Sequence, residues 1–152
     1  MAFQLLTNAF ADGGWIPALH SCQGADLSPA LEWSGAPAEA RSLALIVDDP
    51  DAPGGTWNHW LLYDIPAAVR NLAQGYRPGG TGISGKNDFG KLGYGGPCPP
   101  KGHGPHRYFF RLYALDVDTL GLPAGVKRAE LERALKGHVL AEAQHMGRFE
   151  RR

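Results

Sequence analysis

The sequence predicts a mainly β protein of the α+β class, on three observations. Its 21 glycines and 12 prolines are scattered between short apolar runs, a pattern that divides a chain into many turns. Several of those runs have the length of a strand. One stretch near the C-terminus has the spacing of a long helix, so a sheet with a packed terminal helix is the expected architecture.

The first strands are Phe3–Leu6 and Leu31–Trp33, followed by Ser42–Asp48 with its apolar run Leu43-Ala44-Leu45-Ile46-Val47. In Trp57–Ile65, alternation puts Trp57, His59, Leu61 and Tyr63 on one face and Asn58, Trp60 and Leu62 on the other. Both faces are mostly apolar, which places this strand in the middle of its sheet. A last strand, Arg107–Leu115, runs directly out of a Gly/Pro-rich loop. The helix is expected over Arg128–His145, where Leu131, Leu135, Val139 and Ala143 recur every fourth residue with Ala134 and Leu140 beside them. Glu130, Arg133 and Lys136 then face water, and Gly137 interrupts the pattern. There is no internal repeat and no low-complexity segment.

A chain of 152 residues suits one domain, taken as residues 1–152. Acidic and basic residues balance at 15 each, so net charge calls for neither nucleic acid nor an anionic membrane, and any anion site must be local. The N-terminus Met1-Ala2-Phe3-Gln4-Leu5-Leu6 has no signal-peptide pattern, and no transmembrane run follows. The cytoplasm is the expected compartment, and Cys22 and Cys98 are expected as reduced thiols.

The segment Gly93-Tyr94-Gly95-Gly96-Pro97-Cys98-Pro99-Pro100-Lys101-Gly102-His103-Gly104-Pro105-His106-Arg107-Tyr108 cannot be a helix or a central strand, because proline lacks the donor both require. It is a shaped loop that presents imidazoles, a phenol and backbone N–H groups from a rigid support. A second candidate is Asp48-Asp49-Pro50-Asp51-Ala52-Pro53, at a strand end, with Asp49-Pro50 and Ala52-Pro53 open to a cis bond. It reads either as a pre-organised carboxylate beside a pocket or as a solvated acidic turn. His59, inside an apolar strand, is by itself better explained as a satisfied core residue than as a ligand. His103 and His106 with His59 and Asp49 lack the fixed spacing of a metal site. Gly80-Thr81-Gly82-Ile83-Ser84-Gly85-Lys86 begins like a phosphate-binding loop, but Asn87 stands where magnesium needs a hydroxyl and the flanks are not strand and helix. Ser84 lacks the second glycine of a hydrolase elbow.

Asp49-Pro50-Asp51-Ala52-Pro53, Trp57-Asn58-His59-Trp60, Gly96-Pro97-Cys98-Pro99-Pro100 and Gly104-Pro105-His106-Arg107-Tyr108, in that order and approximate spacing, resemble the phosphatidylethanolamine-binding protein family, in its bacterial and archaeal Raf-kinase-inhibitor-like branch. The blocks Phe10-Ala11-Asp12-Gly13-Gly14, Ser28-Pro29-Ala30-Leu31-Glu32-Trp33, Asn87-Asp88-Phe89-Gly90 and Gly137-His138-Val139-Leu140-Ala141 extend the likeness over nearly the whole chain. The resemblance implies a large antiparallel sheet, a smaller one, peripheral helices and a small anion-binding pocket. Carried over residue by residue, that pocket falls on Asp49, Trp57, His59, Gly96, Pro99, Pro100, His106 and Tyr108. Cys98, inside the Gly-Pro-x-Pro-Pro wall, departs from the shorter wall of animal members.

The expected function is binding of phosphate-like or phosphorylethanolamine-like groups by a regulatory binding protein, with no catalytic residues, no cofactor and no resident metal. The donors would be loop N–H groups, His59, His106 and the Tyr108 hydroxyl. Asp49 has two readings, partly protonated or orienting an imidazole, and the second is favoured. Alternation turns Arg107 away from His106 and Tyr108, toward an acidic partner such as Asp51. The alternatives are a kinase or protease inhibitor acting through protein contacts, and a hydrolase or lyase using the His/Asp set. A homodimer accords with the resemblance; membrane insertion and nucleic-acid binding do not.

Overall fold

The computed structural model describes residues 2–152; Met1, where the expected domain boundary begins, lies outside the described residues. The strands in chain order are β1 (Gln4–Leu6), β2 (Gly14–Trp15), β3 (Leu31–Ser34), β4 (Ser42–Asp49), β5 (Trp57–Pro66), β6 (Asn71–Leu72), β7 (Ile83–Ser84), β8 (His106–Leu115) and β9 (Val139–Phe149), with helix α1 (Arg128–Leu135) before the last. Among the described residues they form a three-stranded sheet ordered β1-β3-β6 and a six-stranded sheet ordered β2-β9-β8-β4-β5-β7. Pairing is antiparallel except for β2, which runs parallel to β9.

Burial follows from this layering. All residues of β4 are buried, as a strand covered on both faces requires. On one face Leu43, Leu45 and Val47 join Trp60, Leu62, Phe110 and Leu112 beneath the small sheet's Leu5, Leu31, Trp33 and Leu72. On the other, Ala44 and Ile46 meet Leu61 and Tyr63 under Leu131 and Leu135 of α1. The mainly β, two-sheet architecture with a helix near the C-terminus is therefore the one the sequence predicts.

The helix is shorter than expected. It ends at Leu135, Gly137 takes a left-handed φ of +84°, and the chain re-enters the sheet as β9 instead of continuing to His145. A repeat of four is even, so it also fits the two-residue period of a strand. Ala143, His145, Gly147 and Phe149 are the inward set in β9, while Val139 is exposed. The competing interaction is pairing, since β9 satisfies the whole free edge of β8, from His106–Phe149 to Leu115–Val139.

Two further expectations change at β5. The strand is buried on both faces but is not central, because β4 and β8 hold the middle and β5 has only two-residue β7 beyond it. Loop amides complete its outer edge, with Asp88, Gly95 and Gly85 N–H donating to the carbonyls of Asn58, His59 and Leu61. The alternation also breaks. Val47 pairs with Trp60 and Asp48 with Asn58, which leaves His59 as the extra residue of a bulge. Trp57 and His59 consequently share a face with Trp60 and Leu62, and are parted from Leu61 and Tyr63.

Candidate functional site

At the bulged end of β5 lies a cavity of about 210 Å³, lined by Asp49, Ala52, Pro53, Trp57, His59, Phe89, Cys98, Pro99, Pro100, His106 and Tyr108. Three strand ends build it. β4 brings Asp49, β5 brings Trp57 and His59 through the bulge, and β8 brings His106 and Tyr108 two residues apart on one face.

The carboxylates of the acidic turn have separate duties. Asp48 is buried on the opposite face, where Arg111 Nε donates to it at 3.0 Å and Arg128 Nη1 at 2.6 Å. Asp49 is 3% exposed, and its oxygens accept the Asp51 N–H at 2.8 Å and His106 Nδ1–H at 2.6 Å. Asp51 accepts the Arg107 backbone N–H and grips its guanidinium at 2.9 and 2.8 Å. The Arg107 guanidinium holds the Asp51 carboxyl below its ordinary range. Arg107 thus points away from the cavity into an ion pair with Asp51, as alternation predicts. Neither Asp49-Pro50 nor Ala52-Pro53 is cis.

Each imidazole has its polarity set by one contact. His59 Nδ1–H donates to the Gly95 carbonyl at 2.7 Å, which leaves Nε2 as the acceptor end of the neutral ring. Burial pushes its pKa down, so the neutral form dominates. Phe89 and Tyr108 pack edge-on against the ring, with centroids 5.3 and 5.2 Å away. His106, held by Asp49 at Nδ1, meets exposed His103 at Nε2, 2.6 Å from its Nδ1. The Tyr108 hydroxyl is buried with no hydrogen bond of ordinary geometry among the described residues, the Asp49 carboxylate beside it making at most a long contact. Burial, with Asp49 close by, drives its pKa far upward, so it stays a neutral O–H donor. No group of three or more His, Cys, Asp and Glu among the described residues is disposed to hold a metal ion.

The Gly/Pro segment serves as wall more than as donor. Gly95 N–H is spent on His59 O, Gly96 N–H on Asp26 Oδ1, Gly102 N–H on Arg151 O and His103 N–H on Pro100 O. Its carbonyls are also in use, with Cys22 N–H donating to Pro97 O and Arg151 Nε to Pro99 O. Of the residues expected at the pocket, Gly96 therefore sits behind the lining. A Cβ there would meet His20 O at 2.1 Å, so glycine is what lets the wall lie against residues 18–26.

Cys22 and Cys98 are joined in a disulfide, with Cα atoms 5.4 Å apart, which corrects the expectation of free thiols. Their 76-residue separation concealed the contact. The Cys22–Pro97 hydrogen bond and the Tyr94 hydroxyl on His20 O bring the two turns into bonding range. The cytoplasmic expectation loses the support it drew from reduced thiols.

Sequence reasoning missed Ala52, Pro53, Phe89 and Cys98 as lining residues. Phe89 had a signal, since Asn87 accepts the Phe89 and Lys91 N–H groups and donates to Gly93 O, fixing the turn that aims the ring at Trp57. The same turn replaces the helix a nucleotide-binding loop would need.

The family model for phosphatidylethanolamine-binding protein matches residues 6–150. A relative from Methanothermobacter thermautotrophicus, described as a UPF0098 protein, is 49% identical over 152 residues, covering 97% of this chain and 98% of its own. The crystal structure of a phosphatidylethanolamine-binding protein homolog from Chlamydia trachomatis superposes with a TM-score of 0.91 at 43% identity, over 99% of both chains. That of E. coli YbcL does so with a TM-score of 0.93 at 35% identity, over 100% of both. With a family match over nearly its full length and relatives this close, the chain belongs to the phosphatidylethanolamine-binding proteins, a family of binding proteins.

Proposed function

We propose that this protein binds small phosphate-type anions, phosphorylethanolamine among them, at the Asp49–His59–His106–Tyr108 cavity, and regulates by binding without catalysing a reaction. The Tyr108 hydroxyl carries this reading. A buried phenol held neutral and left without a hydrogen bond of ordinary geometry costs about 1–3 kcal/mol unless a ligand completes its hydrogen bonding. The cavity, about 210 Å³, suits a small ligand. Trp57 and Phe89, both partly exposed at the cavity, offer aromatic faces to the substituent that the anion carries.

A carboxylate beside an anion is tolerable because both Asp49 oxygens already accept N–H groups, from the Asp51 backbone and from the His106 ring that it orients. Covalent catalysis through a serine, threonine or cysteine has no candidate in the lining, whose one cysteine sulfur is tied to Cys22.

An NMR titration with O-phosphorylethanolamine, with inorganic phosphate and ethanolamine as controls, tests the proposal. Saturable shifts at Asp49, His59 and the Pro99–Tyr108 segment are expected, and Asp49→Asn should weaken binding at least about tenfold, or ~1.4 kcal/mol. Silence at these residues would refute it, and full affinity in Asp49→Asn would refute the role of Asp49 in orienting His106.

A further inference from the structure

Taking this cavity as the anion site proposed above, we infer that His103, which lies outside the lining, is its proton entrance: His103 and His106 titrate as one pair, and the pair takes up a proton from solvent when an anion binds.

Two contacts define the relay. His106 Nδ1–H donates to Asp49 at 2.6 Å, and its other nitrogen, Nε2, lies 2.6 Å from His103 Nδ1. Two ring nitrogens at that distance share one proton, because two N–H groups would collide there and two lone pairs would repel. Both nitrogens of His106 are thus committed, so what this 1% exposed ring offers a ligand is charge. His103 is exposed, and among the described residues its Nε2 is the one nitrogen of the two rings without a partner. A proton arriving there forms an Nε2–H bond, and the bridging proton passes from His103 Nδ1 to His106 Nε2. The pair then carries one positive charge shared between the solvent edge and the cavity wall, and no water has to enter.

The loop is shaped to deliver this ring. Gly102 and Gly104 on either side of His103 take left-handed φ values of +73° and +86°, a turn that favours glycine. Gly102 N–H donates to Arg151 O and His103 N–H to Pro100 O, and the two imidazoles meet edge-on with centroids 4.9 Å apart.

The charges around the pair set the direction of the coupling. From β4, buried Asp49 faces His106, while Asp51 beyond it is matched by Arg107. On β8 itself, Tyr108 stacks beside His106 and stays neutral. β9 sets Phe149 opposite His106; past it Glu150 pairs with Arg152, and Arg151 spends its Nε–H on Pro99 O. Lys101 is exposed on the same loop. With the pair neutral, Asp49 leaves the wall negative and opposes an anion; with a proton on the pair the two charges cancel. An anion therefore raises the proton affinity of the pair, and by reciprocity the proton raises the affinity for the anion. Imidazole is the side chain suited to this near neutral pH.

The test is calorimetry with the diester glycerophosphorylethanolamine, whose phosphate has no second proton of its own. Inorganic phosphate, corrected for its own titration, is the second probe. Near neutrality, titrations in buffers of different ionisation enthalpy should show net proton uptake, and affinity should fall at least about fivefold between about pH 6 and about pH 8. In His103→Asn, whose amide can still meet His106 Nε2 but does not titrate, uptake should drop to near zero and the affinities at the two pH values should converge. ¹⁵N spectra of the imidazole rings in the wild-type complex should place the added proton on His103 and His106. No uptake in the wild type, uptake that survives in His103→Asn, or an added proton on His59 would overturn the inference while leaving the anion site standing. If neither probe binds, the proposed function fails and the relay fails with it. The wild-type spectra decide the matter even if His103→Asn does not fold.

Discussion

His59 is a core residue and a cavity residue at once, and the two roles share one cause. The Gly95 carbonyl anchors Nδ1, the aromatic rings exclude water, and the other nitrogen is left at the cavity. The folded state therefore resists protonating this ring, and its pKa lies below the ordinary value of 6.5. As pH falls through about 6.5, the unfolded chain takes up a proton there before the folded chain does, so stability is full above that window and declines below it. Urea midpoints measured at about pH 8 and about pH 5.5 should fall more steeply for the wild type than for His59→Gln. Equal slopes would remove His59 from the pH response. Arg107 is the contrasting case, since its direction was legible from alternation alone, next to His106 and Tyr108 on a regular strand. His59 was not legible in that way, because the bulge resets the faces of β5 just there.

At the scale of elements, the sequence signals most open to misreading are those compatible with two periods. Leu131, Leu135, Val139 and Ala143 fit a helix and a strand equally well by spacing, and the break at Gly137 is the feature that separates them. Local propensity cannot decide it, because the gain from strand β9 comes from pairing with β8, which is distant in sequence. Gly137→Ala puts a side chain at a φ of +84°, where nothing crowds the Cβ but the backbone itself is strained. It should cost roughly 1 kcal/mol in a urea unfolding curve, with anion affinity unchanged. A neutral or stabilising effect would show that the junction tolerates another turn.

At the scale of the whole molecule, the cavity wall is held by parts of the chain far apart in sequence. Cys98 reaches Cys22, Gly96 reaches Asp26, Tyr94 reaches His20 and Pro99 reaches Arg151. The disulfide closes a long loop, 76 residues in sequence separation, and should stabilise the fold by about 4 kcal/mol. Because Cys98 also lines the cavity, reduction by a dithiol, or paired Cys22→Ser and Cys98→Ser substitution, should lower the melting temperature and weaken anion binding together. A protein unchanged in both would mean that the hydrogen bonds alone hold the wall. No helix among the described residues is long and apolar enough to cross a membrane.

By itself the sequence determined the β-rich class, five of the nine strands, the family and the residues Asp49, Trp57, His59, Pro99, Pro100, His106 and Tyr108 that the fold assembles at one cavity. The class and the strands depend on local composition and short-period patterning, whereas the family and the cavity residues rest on motifs that resemble the phosphatidylethanolamine-binding proteins. Tertiary structure decided the ninth strand, the bulge that turns His59, the disulfide and the loss of the Gly95 and Gly96 amides to internal partners. All of these are choices between partners distant in the chain, and a backbone group or a sulfur takes the partner that folding brings near, which no local pattern encodes.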